Sequence, residues 1–297
     1  MRVHTIGCSF TNWIYPTWSD FVSMHYDCEV VNLGYPAQGN DIIKKHLFGI
    51  GSSDHVFIKF TGYDRVHVGM DDSIKYDSNI YRKNLQRVEY FKSKNASFIQ
   101  LDKRNTKNTF SNFQLIYNML EQILDCQNYL EANDLDYTFS TWQNLYNNSK
   151  HISLTDQTTI SDSQFVDNPA YQQVLGKIKQ ANFVQDLNNG LWEHLLSNKE
   201  LVQVQNVNEF HPNCLCHFDY FKKYFKPILD KKLNPNNNLS DLESKARQFS
   251  KHFAQLNNTE LHLPTEDNTP TSHLEYPSES QFKTAKNHFF KIFADYQ

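Results

Sequence analysis

The chain has 297 residues, 39% of them hydrophobic and 14% aromatic, enough for one large domain with additions or for two small ones. A formal net charge of −4, from 29 Lys and Arg against 33 Asp and Glu, argues against a nucleic-acid partner. No apolar run reaches the roughly 18–20 residues that span a bilayer, and no signal peptide is apparent, so we expect a cytoplasmic protein without a membrane partner.

The first sixty residues alternate between strand-like and helix-like segments. Strands are predicted over 2–7, 28–34 and 54–62, and helices over 15–26 and 40–50. Pro16 suits the first turn of the first helix, and Asn40 is the expected N-cap of the second. The third strand is apolar enough to be buried on both faces, as the strands of a parallel sheet are. This alternation predicts a doubly wound α/β sheet.

The regular alternation of strand-like and helix-like segments is lost in the middle of the chain. Residues 64–107 are rich in Tyr, Asp, Lys and Asn without a period, and we expect them to form an insertion after the third strand. An apolar stripe predicts a long core helix over 108–132, and a fourth strand follows over 135–142. Short helices and polar loops are expected over 143–195, and an amphipathic helix over 216–229 closes the α/β domain.

A helical extension is predicted over 233–297, after an α/β domain over 1–232. A capping box beginning at Ser240 predicts a helix over 239–256. A polar linker leads to a last helix, 278–296, whose phenylalanines share one face. That face needs a partner, because an isolated helix of this length is marginal in water. The partner is either the same chain, or another subunit or protein.

Five cysteines at irregular spacing do not form a disulfide framework and favour a reducing compartment. Cys214, Cys216 and His217 could suggest a metal site, but no second ligand pair lies at zinc-finger spacing. Buried structural thiols are therefore the expected role, with His217 packing nearby as a helix residue. No metal and no cofactor is predicted.

Three short segments carry the candidate catalytic residues. Gly-Cys-Ser-Phe-Thr at 7–11 follows the first strand, the segment 32–40 follows the second, and Asn-Glu-Phe-His-Pro-Asn at 208–213 precedes the closing helix. The carboxyl ends of parallel strands are where α/β sheets build ligand sites. A serine, a histidine and an acid are the set that acyl transfer uses: the histidine takes the serine proton, and the acid orients the imidazole.

These segments resemble the SGNH (GDSL-like) hydrolase superfamily, particularly members seen in bacteria and their phages, in order along residues 1–230. The resemblance implies a flavodoxin-like three-layer α/β/α sandwich with a parallel sheet. It implies Ser9 as the nucleophile, His211 as general base and then acid, and Glu209 as the residue that orients His211. Asn208 also stands near the acid position, but it cannot serve as a carboxylate.

The resemblance also implies an oxyanion hole formed by the backbone N–H groups of Ser9 and Ala37. Asp64 occupies the position where the family places an asparagine donor. An ionised Asp64 would repel the oxyanion unless it is protonated, or it pairs with Arg65 and faces elsewhere. The expected substrate-binding neighbours are Gly39, Asn40, Tyr63 and Arg65.

The leading hypothesis is a serine hydrolase acting on a carboxylic ester, either of a small molecule or of an acyl or acetyl group on a carbohydrate. Tyr63, Trp142 and Trp192 could stack on a sugar, although aromatic residues are more often core. The alternative is a catalytically weak or inactive SGNH fold that serves as a binding or structural protein, in a virion if phage-encoded. Asp64 and the aromatic helix 278–296, which could self-associate or bind a protein partner, favour this alternative.

Overall fold

A computed structural model of the protein defines the architecture of most predicted elements. The described residues are 1–35, 38–62, 65–66, 99–100, 112–142, 151–152, 159–160, 168–184, 190–197, 212–255 and 279–296. Within this part of the chain, every helix is too short or too polar to serve as a membrane span.

The centre of the fold is a parallel sheet. The described strands are β1 (Arg2–Ile6), β2 (Glu29–Asn32), β3 (His55–Phe60), β4 (Arg65–Val66), β5 (Ile99–Gln100), β6 (Tyr137–Thr141), β7 (His151–Ile152) and β8 (Thr159–Ile160). The sheet has the order β2–β1–β3–β6 with parallel pairing throughout, while β4 pairs antiparallel with β5 and β7 with β8. This order is flavodoxin-like and confirms the predicted α/β fold class.

Helices cover both faces of the sheet and make three layers. They are α1 (Trp18–His25), α2 (Asn40–Phe48), α3 (Asn112–Ala132), α4 (Pro169–Leu175), α5 (Leu191–Ser197), α6 (Cys214–Tyr220), α7 (Lys226–Leu229), α8 (Leu239–Gln255) and α9 (Glu279–Asp295). A π-helical turn, Phe221–Phe225, joins α6 to α7. One core lies under α2, α3 and α4, and the other lies under α1 and α5 to α9.

The sequence of β3 shows how one strand serves both cores. Every residue of β3 is buried, as expected for a central parallel strand. Val56, Ile58 and Phe60 contribute to the core under α2 to α4, and Phe57 contributes to the opposite core. Because side chains alternate along a strand, Lys59 points to the same side as Phe57. The sheet therefore carries a lysine on a face that is otherwise mostly apolar.

One predicted helix start lies three residues too early, at 15 instead of Trp18, and one predicted cap is wrong on a helix whose start at residue 239 is confirmed. α1 begins later than Pro16, because the Asp20 carboxylate accepts the backbone N–H of Thr17 at 2.9 Å and caps the helix there. α8 is capped by Asn238 rather than by Ser240, because the Asn238 side chain accepts the Ser240 N–H at 3.0 Å. Both caps are formed by side-chain hydrogen bonds, which hydrophobic periodicity does not predict.

The C-terminal helices pack against the α/β part of the same chain. Phe293 of α9 lies 5.9 Å from Phe21 of α1 and 5.9 Å from Phe249 of α8, between ring centroids. Phe253 of α8 meets Tyr15 edge-on at 4.9 Å. The aromatic face of the last helix is therefore covered by its own chain, which is one of the two outcomes left open above. A division into units 1–232 and 233–297 stays a prediction.

This packing predicts unequal roles for two adjacent phenylalanines of α9. Phe289→Ala should lower the free energy of unfolding by about 3–5 kcal/mol, because it leaves a cavity among buried rings. The neighbouring Phe290→Ala makes the same chemical change at a half-buried position and should cost clearly less. Urea unfolding of the two variants measures the difference. Equal losses would mean that α9 does not dock through the Phe289 face.

Candidate active site

Ser9 lies in a tight turn directly after β1, at the carboxyl edge of the sheet. The Cys8 carbonyl accepts hydrogen bonds from the backbone amides of Thr11 at 2.8 Å and Asn12 at 3.2 Å. Ser9 is 3% exposed, so this turn holds it inside the protein rather than on its surface. Because β1 is a central strand, the Ser9 turn stands in the middle of the edge where such sheets bind ligands.

Two glycines allow the ends of three strands to meet at this edge. A Cβ atom on Gly7 would lie 2.1 Å from Thr11 Oγ1 and 3.0 Å from the carbonyl oxygen of Lys59. A Cβ atom on Gly34 would lie 2.9 Å from Thr11 Cβ. Neither position has room for a side chain, so glycine is required here for the close approach of one backbone to another.

Two asparagines join the Ser9 turn to the loop after β2. Asn32 Nδ2 donates to the Thr11 carbonyl at 3.0 Å, and its Oδ1 accepts the Gly34 N–H at 2.9 Å. Asn12 Nδ2 donates to the Gly34 carbonyl at 2.7 Å. The predicted nucleophile turn and the predicted oxyanion loop are thus held together by side-chain hydrogen bonds. Ala37, the predicted N–H donor of that loop, lies outside the described residues.

Asn40 links the start of α2 to the chain that follows β3. Its Oδ1 accepts the backbone N–H of Thr61 at 2.9 Å, and its Nδ2 lies 3.4 Å from the Thr61 carbonyl. Because the Asn40 side chain is engaged there, Gly39 is the N-cap of α2, and the prediction of Asn40 as N-cap is wrong. Asn40 is 2% exposed. Its observed role is structural, and substrate contact by Gly39 or Asn40 stays a prediction.

An aromatic stack that includes the residue just after β6 supports the Ser9 turn. The rings of Phe10 and Trp142 lie 4.0 Å apart with an interplanar angle of 4°. Trp142 is 1% exposed, so it belongs to the core and cannot stack on a sugar. Of its two predicted roles, the structure supports core packing.

The segment after His211 is anchored beside the Ser9 segment. Tyr15 donates its hydroxyl hydrogen to the Pro212 carbonyl at 2.8 Å. Asn213 caps α6 by accepting the Cys216 N–H at 2.8 Å. These contacts fix the chain immediately after His211 against the chain that follows Ser9.

Most other predicted site residues lie outside the described part of the chain, or only their backbone is described. His211, Glu209, Asn208, Tyr63 and Asp64 are outside it. Arg65 is described as backbone in β4, and Trp192 as backbone in α5. The structure therefore brings Ser9, Gly39 and Asn40 to the same edge of the sheet, and the remaining assignments stay predictions.

The two cysteines at the start of α6 are buried. Burial raises the pKa of the Cys214 thiol and that of the Cys216 thiol, which disfavours their thiolate forms. His217 is buried beside them, with its ring 6.3 Å from that of Tyr15. The expected structural role of these thiols is thereby supported. Among the described residues, no three metal-ligating side chains come together.

Lys59 is a buried lysine that was not among the predicted site residues. Its Nζ donates to the Thr141 carbonyl at 3.0 Å and lies 5.2 Å from the centroid of the Tyr220 ring. Burial lowers the pKa of Lys59 to about 7, because the apolar surroundings disfavour the charged form. A lysine inside the apolar run HVFIKF is the sequence signal that could have pointed to it.

The lowered pKa of Lys59 predicts a pH dependence of stability. Its pKa is about 7 in the folded chain against an ordinary value of 10.5, so between these values the unfolded chain binds more protons. Stability should therefore rise with pH across this window, and the cost of burying the charge should be greatest below it. Lys59→Met should remove this rise. Its free energy of unfolding should exceed that of the wild type by the largest amount at the acid end of the window.

Urea unfolding from about pH 6 to about pH 10 tests this dependence. Lys291→Met removes an exposed lysine from α9 and should leave the pH profile of the wild type unchanged. Parallel profiles for wild type and Lys59→Met would show that Lys59 keeps an ordinary pKa.

Similarity to known proteins is found among solved structures. No protein-family model and no curated protein matches the chain. The chain is similar to a lipase/acylhydrolase from Enterococcus faecalis, at 12% identity and a TM-score of 0.42, over 80% of this chain and 99% of that one. It is also similar to a gut microbial diltiazem-metabolizing enzyme, at 16% identity and a TM-score of 0.33, over 76% of this chain and 46% of that one. The functional interpretation therefore rests on this chain's own residues.

Proposed function

We propose that the protein is a serine hydrolase that cleaves carboxylic esters, with Ser9 as its nucleophile. The observation that carries the proposal is the placement of Ser9 in a buried tight turn at the carboxyl end of a central parallel strand. The turn is held by its glycines, its asparagines and the Phe10–Trp142 stack. These contacts involve the backbone and the neighbouring side chains, so alanine can replace Ser9 without breaking them.

In the proposed reaction Ser9 Oγ attacks the ester carbonyl carbon while His211 accepts the hydroxyl proton. The tetrahedral intermediate collapses, the C–O bond breaks, and His211 returns the proton to the leaving alcohol. Water then attacks the acyl-enzyme by the same route and releases the acid. The N–H groups of Ser9 and Ala37 stabilise the negatively charged oxygen, and Glu209 orients the imidazole.

The position of the chain after His211 supports its assignment as the base. Pro212 follows His211 directly, and its carbonyl is held by Tyr15, which lies a few residues after Ser9. A general base must come within hydrogen-bond reach of the proton that it removes. The Tyr15–Pro212 bond ties together the two segments that have to meet for this to happen.

The substrate class is a carboxylic ester, of a small molecule or of an acylated carbohydrate. The core position of Trp142 removes one of three predicted aromatic platforms for a sugar ring. Tyr63 and Trp192 are the two that remain for the carbohydrate alternative. The acyl group itself is the common requirement of both classes, so a short-chain aryl ester is a suitable probe for either.

Ser9→Ala tests the proposal directly. The variant should lose labelling by a fluorophosphonate probe and hydrolysis of a short-chain aryl ester, because the nucleophile is gone. Its thermal midpoint should be nearly unchanged, since the backbone and asparagine hydrogen bonds that hold the turn stay in place. Ser23→Ala, an exposed serine of α1, is the matched control and should keep both activities.

The outcomes separate the two functions considered for this fold. Ester hydrolysis that survives in Ser9→Ala would move the activity to another residue. A wild-type chain that neither reacts with the probe nor hydrolyses the ester would favour a binding or structural protein built on the same fold.

Asp64→Asn tests the proposed oxyanion site. An ionised carboxylate beside the oxyanion should slow the reaction, so replacing it with an amide should raise kcat by up to roughly 10²–10³-fold, the effect of one donor. The gain should be largest at high pH, where the carboxylate is fully ionised, and a pH–rate profile of both proteins measures it. A neutral or harmful effect would mean that Asp64 pairs with Arg65 or positions the substrate.

A further inference from the structure

A lysine from the C-terminal helix reaches the turn that contains Ser9. Lys286 Nζ of α9 lies 2.5 Å from Asn12 Oδ1 and 3.0 Å from Asp20 Oδ1. The side chains of Lys286 and Asp20 are only 20% and 12% exposed, so solvent screens this ion pair less than a surface pair. Lys286 and Asn12 are 274 positions apart in the sequence.

The contact fixes the orientation of the Asn12 side chain. An ammonium group only donates hydrogen bonds, so Asn12 has to present its oxygen to Lys286. Its Nδ2 then faces the Gly34 carbonyl, to which it donates at 2.7 Å. Lys286 thereby selects the Asn12 orientation that joins the Ser9 turn to the loop after β2.

A second contact from α9 reaches that loop. The ring of Phe282 lies 5.6 Å from the ring of Tyr35, and the Tyr35 N–H donates to the Gly7 carbonyl at 3.2 Å. α9 therefore touches both segments that the proposed reaction uses, one through Lys286 and one through Phe282.

We propose that Lys286 is a positioning residue for Ser9, acting through Asn12, so that docking of the C-terminal helix sets the reactivity of the site. This inference rests on the proposed function. The lysine touches neither the substrate nor the reacting atoms. It holds the turn in the geometry in which Ser9 and the oxyanion loop face one ester.

The first test compares Lys286→Met with Lys291→Met, which makes the same change at an exposed position of the same helix. Lys286→Met should lower kcat and the rate of fluorophosphonate labelling by roughly 10- to 100-fold, because small displacements of a nucleophile have effects of that size. KM should change little, and Lys291→Met should behave as wild type. Lys286→Arg keeps a donor to Asn12 and should recover most of the rate.

A double-mutant cycle separates positioning from general stabilisation. Asn12→Ala should slow labelling about as much as Lys286→Met. The double variant should be labelled only slightly more slowly than either single variant, because both substitutions remove the same Lys286–Asn12 contact. Independent, multiplying effects would show that Lys286 acts elsewhere and would overturn the proposal. If Lys286→Met does not fold, Asn12→Asp keeps an acceptor for Lys286 but loses the donor to Gly34, and it should show the same loss.

The remaining outcomes distinguish this inference from the function on which it rests. A labelled wild type with an equally reactive Lys286→Met overturns the positioning role alone. A wild type that the probe does not label overturns both proposals. A Lys286→Met variant whose lower rate is fully explained by its unfolded fraction at the assay temperature also overturns the positioning role.

Discussion

The absence of side chains at Gly7 and Gly34 is the constraint on which the candidate site depends. Both glycines lie against Thr11, and any larger residue at Gly7 would also meet the backbone of β3. With that space left open, the ends of β1, β2 and β3 approach closely, and Asn12 and Asn32 bridge the ends of β1 and β2. Packing at this level is dense and responds to single methyl groups, so a side chain at either glycine would displace the turn that carries Ser9.

Much of the fold follows from patterns within short segments. The run HVFIKF predicts a buried central strand because apolar residues on both faces suit a sheet covered by helices on both sides. The helix caps were less predictable, because a side chain that can cap a helix can also bond to another part of the chain. Asn40 is a good N-cap in isolation, but its side chain bonds to Thr61 just after β3, and Gly39 is the N-cap instead.

The residues of the candidate site differ in the same way. Some are recognisable from a local sequence pattern, and others depend on contacts between distant parts of the chain. Ser9 is recognisable because glycine, serine and a preceding strand stand together in the sequence. Lys286 is not, because its partner Asn12 lies at the other end of the chain and no periodic pattern joins them. Lys59 falls between these cases: its place in an apolar strand is visible, whereas the Thr141 carbonyl that accepts its hydrogen bond is defined only once β3 pairs with β6.

The C-terminal helix combines a structural and a positioning contribution within a single turn. Phe289 lies three residues after Lys286, so the two occupy neighbouring positions on one side of α9. Phe289 packs against Phe249 and Phe253, whereas Lys286 turns to Asn12 and Asp20 at the edge of the same buried surface. The aromatic contacts can therefore hold the helix in place without specifying the orientation of Asn12. Loss of the ammonium group would leave the helix docked and the Ser9 turn less constrained, which is why stability and reactivity should respond to different residues of α9.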